Sequence, residues 1–355
     1  MAKRAPQSRA AAHALLSRRT RFYDRPTVEL AAGNEAASAL GDQLDSVTAG
    51  FLRGRVTPVL GAGVNVSGPE DAAADTWVGQ RPPSGRELAA YLAAHFKYPP
   101  DRPADLLHVS QYVYAVRGGS GPLYDVLHDV FDQQFTTTRV HQFLAAVPSR
   151  LRGMAAGRPP PLIVTTNYDD LMETAFAAVG EEFDLLVYAA EGPNEGRFCY
   201  RSPGGALAPI RDARTNVEID PDRRPVLLKV HGFVDRGKLG AENDDSYVIT
   251  EDHYIEYLAR MDLDNLIPVK VLERLRNCHF LFMGYSLADW NLRAILYRLW
   301  SERRRDRDWW AIQVEPSDLE RRSWRRRGVD IFDIDLGDYI DELDKRFLEA
   351  VGPGP

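Results

Sequence analysis

The stretch Val56-Thr57-Pro58-Val59-Leu60-Gly61-Ala62-Gly63 decides the fold. It is a short, β-branched, apolar run that ends abruptly in glycine, the pattern of a strand buried on both faces of a parallel sheet. Glycine lets the chain turn tightly there, and lets its backbone come close to whatever binds beyond the turn. Three further runs repeat the pattern. Leu162 to Thr166 ends at Asn167-Tyr168-Asp169-Asp170, Pro225 to Val230 ends at His231-Gly232, and His279 to Met283 ends at Gly284-Tyr285-Ser286. A fifth strand is expected from Trp309 to Val314, and a last from Val329 to Leu336 before a closing helix.

Helical patterns over residues 85–96, 104–116, 123–135 and 140–146 separate the first two strands, which predicts a helical lobe inserted at about 80–150. Residues 167–179 read as the helix after the second strand, with Leu171, Ala175 and Phe176 on one face. Residues 181–224, rich in Gly, Pro and charge, read as a second insertion carrying short strands. The fold class is α/β: a doubly wound, mostly parallel, Rossmann-like sheet with an inserted helical lobe. Such sheets bind ligands at the carboxyl ends of their strands.

Composition narrows the function classes. The chain has 355 residues, 44% of them hydrophobic, and a formal net charge of -7, which suits a globular protein and not one whose whole surface is built for nucleic acid. Two cysteines, Cys199 and Cys278, are too few for a disulfide framework or a four-cysteine zinc site, and fit a reducing, cytoplasmic setting. No apolar run is long enough to span a membrane. The first 49 residues read as a basic arm, without the apolar core of a secretion signal, followed by a polar helix.

Each strand-end motif has a plain structural reading beside a chemical one. Gly61-Ala62-Gly63 is a turn, or a phosphate approach completed by the N–H groups of a following helix. It departs from the dehydrogenase fingerprint, because no acidic residue ends a clear strand some 20 residues on. Asn167 and Asp169 are helix caps, or groups that orient a ribose, a water or a carboxamide. Gly284 and Ser286 bind phosphate or ribose through backbone N–H groups, or Ser286 or Asp289 simply caps the helix that follows. Of eight histidines, His231 alone stands at a strand end, where a neutral imidazole is a natural general base. His108, His128 and His141 fall in helical patterns.

Together, Gly61-Ala62-Gly63, Thr166-Asn167-Tyr168-Asp169, His231-Gly232 and Gly284-Tyr285-Ser286-Leu287 resemble the sirtuin-type, SIR2-like NAD-binding domain. Thr165-Thr166-Asn167-Tyr168-Asp169 and Gly284-Tyr285-Ser286-Leu287-Ala288-Asp289-Trp290-Asn291 most resemble its bacterial antiphage-defence branch. The resemblance covers most of the chain and makes residues 50–355 the domain. It implies that Gly61, Ala62 and Gly63 line the NAD pyrophosphate, and that Asn167 and Asp169 sit by the nicotinamide ribose. It implies His231 as the catalytic base and Gly284 and Ser286 on the adenosine side, with Asn65, Thr166 and Asn291 completing the binding set. Asn65 departs from the family, which usually has Ser there.

The deacylase branch carries four zinc-binding cysteines after its His-Gly motif, and residues 233–264 contain none. The Asp-Phe-Arg segment of deacylases is absent too; Arg81 and Arg86 lie nearby without matching context. The implied activity is therefore an NAD hydrolase (NADase) giving nicotinamide and ADP-ribose, with NAD as substrate, no zinc, and a role as a gated effector. The alternatives are a deacylase or ADP-ribosyltransferase, or a non-catalytic NAD or ADP-ribose sensor. No sensor domain is evident, so gating is expected from a homo-oligomer or a separately encoded partner such as a HerA-type ATPase. The runs Arg303-Arg304-Arg305, Arg321-Arg322 and Arg325-Arg326-Arg327 raise nucleic acid as a partner, but neighbouring acids favour a solvated, ion-paired face.

Overall fold

Strand β1 (Val56–Leu60) forms where its apolar run predicts, with all five residues buried. The structure, a computed structural model, describes residues 34–66, 77–154, 158–216, 218–236, 245–260, 262–285 and 307–352. The basic arm up to residue 33, Ser286, Asn291 and Arg303–Arg305 lie outside the described residues. Strands β2 (Leu162–Thr165), β3 (Asp184–Ala189), β4 (Arg197–Arg201), β5 (Ala208–Pro209) and β6 (Val226–Lys229) follow β1. After two short strands, β7 (Gly232–Phe233) and β8 (Ser246–Tyr247), come β9 (His279–Met283), β10 (Trp309–Gln313) and β11 (Val329–Asp333).

Nine of these make one sheet in the order β11-β10-β9-β1-β2-β6-β3-β4-β5, while β7 and β8 pair separately. All neighbours in the sheet are parallel except β3 with β4 and β4 with β5. Pro58 has no N–H to offer, and the β1–β2 register starts only beyond it, at Val59↔Val164. The chain winds outward from β1 through β2 in one direction and through β9 in the other. The crevice at the carboxyl end of β1 is thus the topological switch point of the sheet.

Side chains alternate between the two faces. Leu281, Met283, Trp310 and Ile312 point into a core formed with α1 (Asn34–Leu52), α5 (Arg139–Arg152), α6 (Leu171–Ala178) and α11 (Leu336–Val351). Phe280, Phe282, Trp309 and Ala311 pack on the opposite face with α7 (Glu251–Arg260), the short α8 (Leu263–Leu266), α9 (Val269–Asn277) and α10 (Asp318–Arg325). The lobe between β1 and β2 contains α2 (Gly85–Phe96), α3 (Leu106–Arg117) and α4 (Gly121–Phe131), which share a third cluster with Tyr168, Tyr247 and Ile249. No helix among the described residues is long and apolar enough to cross a membrane.

Three expectations are corrected by packing. Residues 181–224 supply β3, β4 and β5 to the main sheet; β3 was obscured by Asp184, a fully buried acid that accepts hydrogen bonds from Tyr200 Oη (2.9 Å) and Arg224 Nη2 (2.8 Å). Helix α5 does not stop at Ala146 but continues through Pro148 to Arg152, since Val147 and Leu151 bury beneath the sheet. The polar helix expected beside the N-terminal arm is α1, and it belongs to the core. Its Phe51 sits edge-on to Phe143 (5.8 Å) and Phe347 (6.2 Å), and Gln43 donates to the Tyr339 hydroxyl at 3.0 Å.

Phe51→Ala removes the ring that joins α1, α5 and α11. It is expected to cost about 3–5 kcal/mol of stability, read as a fall in the thermal midpoint; a loss below about 1 kcal/mol would contradict the packing role assigned to α1.

Candidate functional site

The ends of four neighbouring strands, β9-β1-β2-β6, bring the predicted motifs into one rim. Gly61 N–H donates to Met283 O (3.0 Å), Gly63 N–H to Gly284 O (2.8 Å), and Val64 N–H back to Gly61 O (3.1 Å). A Cβ on Gly61 would lie 2.7 Å from Gly284 O, and one on Gly63 2.8 Å from Gly284 Cα. Gly284 has φ +66°, and a Cβ there would lie 2.2 Å from Val64 N. All three glycines are therefore needed for the β1 and β9 loops to close on one another. The turn continues as a four-residue 3-10 helix, Ala62–Asn65, in place of the α-helix expected next, and Ala62 N–H has no backbone partner among the described residues.

The β2 loop is held against this lock. Asn167 Nδ2 donates to Gly61 O (3.2 Å), Thr166 N–H donates to Leu60 O (3.1 Å), and Tyr285 Oη donates to Thr166 Oγ1 (2.7 Å). The Asp169 carboxylate accepts from Asn65 Nδ2 (2.8 Å) and from Leu171 N–H at the start of α6 (3.2 Å). Asn65 Oδ1 is buried without a partner. Beneath the loop Lys229 is fully buried, its ammonium reaching Asp169 O (2.5 Å), Tyr168 O (3.5 Å) and Glu173 Oε1 (2.8 Å). A buried lysine with its three donors taken is a clamp on the turn, not a free charge.

His231 follows Lys229 by two residues, so it emerges at the end of β6 next to the β2 loop. It is buried edge-on to Tyr254 (5.5 Å) and Tyr257 (6.2 Å), and its Nε2 has no hydrogen-bond partner among the described residues. Burial pushes its pKa down to about 3, so the ring is neutral at physiological pH. Gly232 has φ +92°, and a Cβ there would lie 1.9 Å from Ser246 O, so only glycine lets the β7–β8 pair close behind the histidine. His141 on α5 is also buried. It sits in a capping box with Thr138, whose hydroxyl donates to Val64 O at 2.8 Å, and burial lowers its pKa to about 4 despite the opposing charge of Asp169.

The structure thus brings together Gly61, Ala62, Gly63, Asn65, Thr166, Asn167, Asp169, His231 and Gly284. Ser286 and Asn291 lie outside the described residues. Arg81 is taken up by the start of α2, paired with Glu87 at 2.8 Å. His108 and His128 pair with Asp105 and Asp245 away from the rim. Lys229 and His141 were not read as site residues; the signal for Lys229 was a lone cation inside the apolar run Val226-Leu227-Leu228, and His141 carried none. Among the described residues, no group of three or more His, Cys, Asp or Glu is placed to hold a metal ion.

A mostly parallel sheet wound both ways from a glycine-locked central strand, with amides and a neutral histidine at its switch point, defines a Rossmann-like α/β domain with a strand-end crevice. The family model for the SIR2-like domain matches residues 161–332, from β2 to β11, so this stretch of the chain is similar to a SIR2-like domain. It is 28% identical over 250 residues to the NAD(+) hydrolase ThsA of Enterococcus faecium, covering 69% of this chain and 41% of that protein. It is 24% identical over 253 residues to Defense-associated sirtuin 2 of Bacillus subtilis, covering 69% of this chain and 20% of the relative. To the NAD(+) hydrolase ThsA of Bacillus cereus (strain MSX-D12) it is 28% identical over 244 residues, 66% of this chain and 41% of the relative. The matches therefore span less than half the length of these relatives.

The two buried histidines generate a pH prediction. Their unfolded value is near 6.5, so between that pH and their folded values the unfolded chain binds more protons. The stability they contribute is full above pH 6.5 and is lost as the pH falls toward 4 and 3. At pH 5 each is expected to cost on the order of 2 kcal/mol. Thermal midpoints at pH 7.5 and pH 5 for the wild type and a His141→Gln/His231→Gln variant test this; equal drops in both would remove the histidines as the cause.

Proposed function

We propose that this chain hydrolyses NAD, breaking the nicotinamide–ribose bond to release nicotinamide and ADP-ribose, as a gated effector that depletes the nucleotide in antiphage defence. The observation that carries the proposal is the juxtaposition of Asn167 and His231 at the ends of adjacent strands, with a neutral imidazole whose Nε2 lacks a protein partner. Three relatives whose names specify NAD hydrolysis or defence support the same reading.

The donor set suits the nucleotide. Asn65 Oδ1 and His231 Nε2 are buried polar atoms without partners among the described residues, which favours a polar ligand in the crevice. Gly61 and Gly63 commit their N–H groups to the β9 loop, so Ala62 N–H is the amide of the turn available to the pyrophosphate. Asn167, tied through Nδ2 to Gly61 O, would present its Oδ1 to the ribose and the attacking water. Thr166, Asn65 and Asp169 would border the nicotinamide ribose, and Gly284, Ser286 and Asn291 the adenosine side.

Cleavage passes through an oxocarbenium-like state, as in other glycosidic hydrolyses. Nicotinamide departs neutral from a cationic precursor, so no general acid is required. The site has to hold the nucleotide rigid, orient one water and accept its proton. His231 takes that proton at Nε2, and the rigid frame of Lys229, Asp169 and Gly61 fixes Asn167. Activity would be gated by assembly of a homo-oligomer or by a separately encoded partner such as a HerA-type ATPase. Neither zinc nor nucleic acid enters the scheme, and the same pocket in a deacylase would require an acylated lysine as co-substrate.

Incubating the chain with NAD alone and following nicotinamide and ADP-ribose by chromatography tests the proposal. Asn167→Ala and His231→Ala are each expected to lower the rate by about 100-fold or more, with folding checked by circular dichroism. Undiminished NAD consumption in both variants would overturn the assignment, and consumption only with an acyl-lysine peptide would make the chain a deacylase.

A further inference from the structure

At the opposite edge of the sheet, where β1, β9 and β10 begin, a second constellation gathers. The turn Arg53-Gly54-Arg55 leads into β1, Arg274 and Asn277 close the helix before β9, and Arg307 precedes β10. These strands are consecutive neighbours, so the topology draws four arginines from three distant stretches of sequence into one place. They line an open cavity of about 320 Å³ that has no acidic side chain in its wall among the described residues.

The cluster is built. Gly54 has φ +61°, and a Cβ there would lie 2.5 Å from Pro159 Cγ and 2.7 Å from Arg274 Nη2, so the turn between Arg53 and Arg55 is fixed against the arginine behind it. Arg274 is held by Pro160 O (Nη2, 3.0 Å) and by Asp222 (Nη1, 2.6 Å), and its Nε is buried without an acceptor. Asp222 is itself 73% exposed and outside the cavity wall. Arg53 and Arg55 are exposed and make no ion pair among the described residues. The arginine-rich helix α10 behaves differently: Arg321 pairs with Asp333 at 2.7 Å, and Arg325 lies 3.6 Å from Asp330. Arg53 and Arg55 thus have less compensation from acids among the described residues than Arg321 and Arg325.

We propose that this cavity is a second anion site, which takes a small phosphorylated ligand of the nucleoside diphosphate class. Guanidinium forks match phosphate oxygens two at a time, and several converging forks suit a diphosphate better than a single carboxylate. The volume lies at the lower end of small-ligand sites. A concave pocket with converging arginines differs from the extended basic stripe that tracks a nucleic-acid backbone. The site is separate from the NAD crevice, since the five residues of β1 put about 17 Å between the two edges of the sheet.

The test uses the full chain and two probes, inorganic pyrophosphate and ADP, titrated calorimetrically. Arg53→Glu/Arg55→Glu reverses the two exposed charges without touching a buried contact. Binding of pyrophosphate and ADP is expected to weaken by about tenfold or more in this variant, while its thermal midpoint and NAD turnover stay at the wild-type level. Four results would overturn the site: no binding of either probe to the wild type, equal binding in the variant, equal affinity for sulfate, or binding only of a DNA oligonucleotide with steep salt dependence. Because both probes can also enter the NAD crevice, the titrations are repeated on an Asn167→Ala/His231→Ala variant. The binding that depends on Arg53 and Arg55 is expected to persist there while NAD turnover is lost, which keeps failure of this site and failure of the NAD reading distinguishable.

Discussion

The contact between the Gly61-Ala62-Gly63 turn and Gly284 is the constraint on which the rest of the site depends. β1 and β9 are where the two windings of the sheet meet, and each strand leaves the sheet with a loop that must not collide with the other. Contacts of 2.7–2.8 Å from the Cβ positions of Gly61 and Gly63 to Gly284 atoms, and of 2.2 Å from that of Gly284 to Val64 N, exclude any side chain at all three positions. The loops consequently bond backbone to backbone, and Asn167 hangs its amide on the same Gly61 carbonyl. The glycines are needed first to close the sheet. What the closure leaves over for a ligand is the Ala62 amide, without a backbone partner among the described residues, and the side chains around it.

Beneath that surface lies a layer of buried charge. Lys229 and Glu173 pair under the β2 turn, where Lys229 also donates to the Asp169 backbone carbonyl, and removing either charge would leave the other uncompensated at low dielectric. The same turn is tied to the lobe through Arg236, which lies 3.2 Å from Asp170 and donates to Phe131 O at 3.0 Å. Farther along the rim, Glu191 bonds His253 (2.7 Å) and Ser120, linking the end of β3 to the lobe and to α7. Polar networks of this kind stiffen loops that apolar packing alone would leave adjustable. Stiffness of this kind would serve the proposed hydrolysis, in which the nucleotide has to be held rigid.

How far this was legible in the sequence follows from where each residue finds its partner. β1, β2, β6 and β9 are runs buried on both faces, so composition alone marks them, and the polar residues ending them fall at one edge by topology. β3 was hidden because Asp184 meets Tyr200 and Arg224 only after folding. α5 was cut short because a proline penalises the helix locally while the burial of Leu151 favours it from across the sheet. In the site, the positions Gly61, Asn167 and His231 were readable but their partners were not. The bond from Asn65 to Asp169 spans 104 positions and the reach of Lys229 to Asp169 spans 60, and no local pattern encodes either.

The low pKa of His231 bears on the proposed chemistry. A base that holds a proton only below about pH 3 cannot store one at neutral pH. Hydrolysis through an oxocarbenium-like state does not ask it to, because water becomes acidic only as its bond to the ribose carbon forms. Before that moment a neutral Nε2 without a protein partner is free to hold the water as an acceptor. As positive charge passes from the sugar to the water, the proton moves to the imidazole, and a weakly basic ring gives it up again readily. In the proposed reaction, burial between Tyr254 and Tyr257 would serve two ends: it would keep bulk water from competing for the cation, and it would keep the histidine neutral until the reaction supplies the proton.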